Sequence, residues 1–388
     1  MNETVRQFRD FIVSLKLTVV LLALGLVLVF AATLAQVDLG IWDVQENFFR
    51  SFVAVWHVGP LYIPLPGGYL VGGLLLINLV AAHVHRFKLT ARKSGIFLTH
   101  LGLILLLLGE LLSGLWQEDF RMRITEGETK NYAESYRVNE LVITDTTDPK
   151  FDDVVAIPEA LLARGDAIQQ AKLPFKVVIK SYFPNSMLAM RGADSGPSLA
   201  TAGIGQRVSA APQPPTYKPD EQNVPAAFVE LVTPEKSLGT WLVRLPTQET
   251  PFPPQTFDYA GHAWKIALRP QRNYKPFSLT LEKFSHDVYA GTGIPKNYSS
   301  RLHLINPDSR EDREVLIYMN NPLRYAGLTF YQSGYEGEQT TILQVVRNPS
   351  WQLPYVACAM MALGLVIQFC IHLVGFIGKR RRTAAVTA

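Results

Sequence analysis

Eight histidines occur in the chain, and four of them stand where an imidazole is costly to keep. His100 lies inside the apolar run GIFLTHLGLILLLLGE (95–110). His83 and His85 close a second apolar run, and His372 lies near the end of another, six residues before Gly378. An ionisable group within a hydrocarbon segment is a functional candidate by default. Two chemistries suit it: ligation of a metal, haem iron included, or a hydrogen bond that ties one helix to its neighbour. His83 and His85 also fit a plain basic interfacial loop. Glu110 is the other charge in these runs, and no chain of partners continues from it toward a proton relay. The two cysteines, Cys358 and Cys370, both sit in the last apolar run, where thiols are usually packing residues. There is no C-x-x-C and no C-x-x-C-H, which argues against a thioredoxin-like protein and against a c-type cytochrome.

The elements that must position these residues follow from hydropathy. The chain has 388 residues, 48% hydrophobic and 18% charged, which indicates a membrane class. The net charge of +4 is too mild for a nucleic-acid partner. Four runs match the ~20 apolar residues needed to cross a bilayer, at 17–35, 66–84, 95–115 and 353–377. The first exceeds the ~7–15 residues of a signal-peptide core and reads as an uncleaved anchor. Lys and Arg concentrate in 1–16 (Arg6, Arg9, Lys16), 85–94 (Arg86, Lys88, Arg92, Lys93) and 378–388 (Lys379 to Arg382). Four spans put these three segments on one side, and the positive-inside rule makes it the cytoplasm. Residues 36–65 and 116–352 are therefore expected on the outer side of the membrane.

On this topology His100 lies five residues beyond Gly95, ~7.5 Å along the axis and within the cytoplasmic leaflet. Gly95, Gly102 and Gly109 recur every seventh residue and form a seam where a second helix can approach closely. His100 is two residues from Gly102, about 200° around the helix, so it points away from that seam. His83, His85 and His372 share its depth.

The outer segments differ in kind. Residues 36–65 contain aromatic and charged residues in IWDVQENFFRSFVAVW, which reads as an amphipathic helix on the membrane surface or a packed loop helix. Residues 116–352 read as β. Runs at 175–183, 240–245, 263–270, 277–289, 313–320 and 328–335 are rich in β-branched and aromatic residues, and MNNPLRYAG reads as a hairpin connection. Residues 190–225, rich in Gly, Ser, Pro and Ala, read as a long flexible insertion. The expected fold class is thus a four-helix transmembrane protein with a large extracytoplasmic, mainly-β domain, a sandwich or an open barrel.

Three stretches carry a resemblance. They are IPLPGGYLVGGLLLINLVAAHVHRF from Ile63, GIFLTHLGLILLLLGE from Gly95, and the long block GTGIPKNYSSRLHLINPDSREDREVLIYMNNPLRYAGLTFYQSGYEGEQTTILQVVRNPSW at 291–351. The chain resembles the ResB (CcsB) family, one subunit of a two-part cytochrome c synthesis machinery. The resemblance implies a ResC/CcsA-type membrane partner, and transfer of haem b as substrate from the cytoplasm to the outside. It also implies presentation of that haem to apocytochrome c, whose C-x-x-C-H thiols are kept reduced by a thioredoxin-like protein. It implies at most one subunit of a cytochrome c synthase, because the partner carries the tryptophan-rich haem segment and the six tryptophans here are scattered. A third-span histidine of the family binds haem, and the matching position is His100. The second axial ligand is expected from the partner rather than from His83, His85 or His372. The alternative is a scaffold that docks apocytochrome or thiol-reducing partners without touching haem. A solute transporter is disfavoured, since the spans show no paired broken helices.

Overall fold

The computed structural model describes residues 3–85, 87–192, 196–218, 221–247, 249–291 and 295–387. Arg86 and the side chains of Arg380, Arg381 and Arg382, counted above in the basic segments, lie outside the described residues, as do 193–195 and 219–220 of the insertion. The chain divides into a helical unit and a β unit.

The helical unit holds α1 (Glu3–Ile12), α2 (Leu15–Leu39), the short α3 (Ile41–Val44) with a π turn over Gln45–Phe49, α4 (Gly68–His85), α5 (Ser94–Trp116) and α7 (Leu353–Thr387). Four of these, α2, α4, α5 and α7, include stretches long and apolar enough to cross a membrane. Ser14 caps α2 by accepting from the Leu17 amide at 3.2 Å, as an N-terminal serine should. Gly40, at φ +83°, ends it. Pro354 sits in the first turn of α7, where no amide hydrogen is needed.

The seven-residue glycine seam of α5 receives α7 in antiparallel order. A β-carbon at Gly95 would meet Gly364 and Gln368, one at Gly102 would meet Met361 and Ala357, and one at Gly109 would meet Leu353 and Pro354. At the far end Ser113 bonds Ser350 at 3.0 Å and accepts from the Asn348 amide at 3.0 Å. A second tie joins α1, α2 and α4. Asn78, only 2% exposed, accepts from the Thr18 hydroxyl at 2.6 Å and donates to the carbonyls of Ile12 (2.5 Å) and Ser14 (3.3 Å).

The first outer loop differs from its expected single helix. Only residues 41–49 are helical, and Val53–Val58 pairs with Leu61–Pro66 as a β-hairpin. Alternation of Val53, Val55 and Ile63 with their neighbours is a strand period that the aromatic cluster before it masks.

The β unit holds α6 (Glu159–Arg164) and an antiparallel ten-stranded sheet. Its main path runs Glu311–Tyr318, Pro295–Asn306, His262–Val288, Thr129–Asp145, Glu118–Thr125, Thr340–Arg347, Leu328–Glu336, Leu323–Tyr325. The two ends of that path meet through a Tyr318–Asn321 bridge, so the sheet is nearly closed and barrel-like. Its interior is filled by residues such as Met122, Ile124, Phe277, Leu281, Leu304, Phe330 and Val345. Burying these side chains stabilises by about 1.5–3 kcal/mol each. A smaller sheet, Ser237–Arg244, Ala226–Val232, Lys176–Phe183 and Ala167–Ile168, packs on one part of the large one. Val177, Val229, Trp241 and Val243 meet Leu141, Ile143 and Ile266 there.

The separately expected runs 263–270 and 277–289 belong to one 27-residue strand. Pro270 and Pro276 interrupt its pairing rather than end it, with register shifts at 270/272 and between 274 and 279, as prolines in strands do. The segment 318–328 does not join its flanking runs as one hairpin: Glu311–Tyr318 pairs with Pro295–Asn306, and Leu323–Tyr325 is a separate short strand that pairs with Leu328–Glu336 across a turn at Ala326 and Gly327, with φ +49° and +75°. The insertion is a correction. Val208–Pro212 pairs with Ser186–Met190, and Ala200, Ile204, Val208 and Ala210 pack with Phe228 and Leu242 in a small core. Its small residues fit this tight packing, so Gly and Ala content here marks close approach and not disorder.

Candidate functional site

The glycine seam fixes the rotation of α5 and so decides where His100 points. With Gly95 and Gly102 against α7, His100 turns toward α4. Its ring lies 5.5 Å, centroid to centroid, from that of His83, with planes inclined 43°. The His100 Nδ1–H donates to the Ile96 carbonyl at 2.8 Å. A carbonyl can only accept, so the proton belongs on Nδ1, and Nε2 keeps the lone pair that a metal would use.

His83 is the surprise. Phe87 stacks on it at 5.1 Å and 4°, Phe97 lies 5.2 Å away, and the two phenyl rings are 5.6 Å apart. Its Nε2 is buried with no hydrogen-bond partner among the described residues. Such an orphan costs about 1–3 kcal/mol, and a bound group that pairs with this nitrogen would remove it. The four rings therefore form a cluster with two imidazoles inside an aromatic wall. An orphaned ring nitrogen and a fixed tautomer beside it are a donor set that fits an iron porphyrin.

The other sequence candidates do not join this cluster. His85 is exposed at the end of α4, two residues and about 200° from His83. His372 is exposed on α7 and accepts from the Gln368 amide at 2.8 Å. It lines a cavity of 950 Å³ together with Arg92 and Lys379. Glu110 lines a second cavity, of 550 Å³, with Arg50, Tyr69 and Gly72. Three contributors to these sites went unread in the sequence: Phe87, Phe97 and Gln368. An i, i+4 spacing from His83 to Phe87 was the available signal for one of them.

Among the described residues the β unit shows no comparable site. His262 bonds Asp145 at 2.6 Å and His303 bonds Asp312 at 2.5 Å. His286 stacks on Phe284 and lies 3.8 Å from Glu338. Among the described residues there is no group of three metal-ligating side chains.

Comparison with known proteins bears on the family and not on this histidine cluster. The pattern of the ResB-like family matches residues 260–342, within the barrel-like sheet. Protein NrfI of Wolinella succinogenes is 25% identical over 297 residues, 76% of this chain and 29% of that protein. Cytochrome c biogenesis protein CcsB of Crocosphaera subtropica is 39% identical over 82 residues, 21% of this chain and 17% of CcsB. The CcsB of a Synechococcus species is likewise 39% identical over 77 residues. The matched stretches thus cover under a third of each of these relatives. The resemblance read from the sequence is supported: residues 260–342 match the ResB-like family, and the chain is similar to CcsB proteins, which are named for cytochrome c biogenesis.

Proposed function

We propose that the chain is a subunit of a membrane cytochrome c biogenesis machinery. It helps move haem from the cytoplasm to the periplasmic face. With a ResC/CcsA-type partner it presents that haem for thioether attachment to apocytochrome c. The observation that carries the reading is the His83–His100 pair, which holds one imidazole in a set tautomer and another with a buried, unmet Nε2. In this reading His100 offers Nε2 to the haem iron, and Ile96 keeps the ring oriented by holding the Nδ1 proton. Phe87 and Phe97 exclude water and give the porphyrin an apolar wall. Bound haem supplies the vinyl groups for attachment and is substrate, not a resident group. The second ligand comes from His83 after the pair opens, or from the partner subunit.

The basic segments support an N-in, C-in topology in the bacterial inner membrane, with the β unit periplasmic. Reporter fusions after residues 150 and 384 test it, and must report opposite sides. The β unit then serves as a rigid support tied to helices at both ends, available to apocytochrome and to a thioredoxin-like reductant.

The haem reading is tested by purifying the chain with its partner, with and without His100→Ala. The variant is expected to lose haem, shift the Soret band and stop cytochrome c assembly, with partial rescue by added imidazole. Unchanged haem content and spectrum would leave His100 a helix-packing residue. That result would favour the scaffold reading.

A further inference from the structure

We infer that the cavity beside His372 is a receiving seat for a dicarboxylate porphyrin, on the opposite face of α5 from the His83–His100 pair. The inference rests on the haem-handling reading above and adds a second, iron-independent subsite to it.

The cavity measures 950 Å³, at the upper end of the ~300–1,000 Å³ of small-molecule sites. Arg92, just before α5, and Lys379, late on α7, supply cations from two separate elements. Among the described residues that line it there is no carboxylate. Ile371 and Phe376 give it an apolar wall, and His372 and Gln368 the remaining polar atoms. Gln368 is held in place because α7 backbone at this residue packs against Gly95. Its amide donates to His372, yet its buried Oε1 has no partner among the described residues. A buried acceptor without a donor indicates a missing occupant.

The chemistry selects the occupant. A flat apolar body suits the aliphatic and aromatic wall, and two acidic groups suit two cations on different elements. A phosphodiester headgroup offers a single charge to that pair. Gln368 lies on the seam side of α5, so a ligand here stands apart from the His100 ring. The seat therefore recognises the carboxylates and ring of the porphyrin, and not its metal.

The test is a fluorescence titration of metal-free protoporphyrin IX into the full chain in nanodiscs of zwitterionic lipid. The double variant Arg92→Gln/Lys379→Gln should weaken binding at least about tenfold, the scale of one charge-assisted hydrogen bond. The charge-conserving Arg92→Lys/Lys379→Arg should retain binding, which separates lost charge from misfolding. Lys88→Gln, a basic residue outside the lining, should bind as wild type. The dimethyl ester of the porphyrin should bind wild type weakly. Loss of haem in His100→Ala with the acid-over-ester preference of this titration retained, or the reverse in the double glutamine variant, lets the two readings fail separately. Equal binding of acid and ester, or of wild type and the double glutamine variant, would overturn the proposal. Displacement of the porphyrin by a stoichiometric amount of anionic phospholipid would overturn it too, and identify a lipid seat.

Discussion

Gly95→Ala should disrupt the α5–α7 pair more than a single methyl group ordinarily does. A β-carbon built at Gly95 would lie 2.5 Å from the Gly364 carbonyl oxygen, 2.6 Å from the Gln368 nitrogen and 2.7 Å from the Gln368 Cβ. Favourable separations are about 3.5–4.0 Å, so α7 would have to withdraw by roughly 1 Å over that turn. Two of the three atoms are backbone and cannot rotate aside. Overpacking of this kind costs about 1–3 kcal/mol. At about 2–4 °C per kcal/mol the unfolding midpoint should fall by roughly 2–12 °C. Gly72→Ala is the control, because a β-carbon there meets nothing within 4 Å. Alanine's better helix propensity, worth up to about 1 kcal/mol, should leave that variant equal or slightly more stable. The assay is thermal unfolding of the full chain in detergent, followed by helical ellipticity. The seam argument fails if Gly95→Ala melts with wild type, or if Gly72→Ala is destabilised equally. Because the same seam turns His100 toward α4, a displaced α7 should also lower haem recovery in Gly95→Ala and leave it intact in Gly72→Ala.

Asn78→Leu should destabilise the helical unit by about 1–3 kcal/mol, since it strands the Ile12 carbonyl and leaves the Thr18 hydroxyl only its longer bond to the Ser14 carbonyl; an unchanged melting midpoint would show that the Ile12 carbonyl finds another partner. Simultaneous alanine replacement of His262, His286 and His303 should leave cytochrome c maturation near normal at equal protein level, and its complete loss would reveal chemistry in the β unit. Hydrogen bonds from the Thr147 hydroxyl and amide, then from His262, hold the Asp145 carboxyl below the usual carboxylate range. Its contribution is present above the ordinary value near 3.9 and is lost as pH falls through its lowered folded value. The midpoint gap between wild type and Asp145→Asn should therefore close as pH falls below about 4; a gap that widens below that pH would contradict the assignment.

The apolar helices and most strands were legible because each is written in one local period. Runs such as 95–115 satisfy the length rule for a span, and 328–335 reads as a strand from its β-branched and aromatic residues. Gly95, Gly102 and Gly109 announced a close helix partner, and the two-residue rotation to His100 said which way the ring would not point. None of these local signals identifies the neighbour. Only the tertiary structure assigns α7 to the seam and α4 to the opposite face. That placement brings together His83 and His100, residues 17 apart on different helices, and surrounds them with Phe87 and Phe97. The same limit explains the long strand through Pro270 and Pro276. A proline locally stops a ladder bond, and only neighbouring strands that resume pairing beyond it make His262–Val288 one element. The insertion read as flexible from its Gly and Ala content, but Phe228 and Leu242, distant in sequence, give those small residues something to pack against. Local composition sets which conformations are cheap, and burial against sequence-distant partners decides which of them is kept.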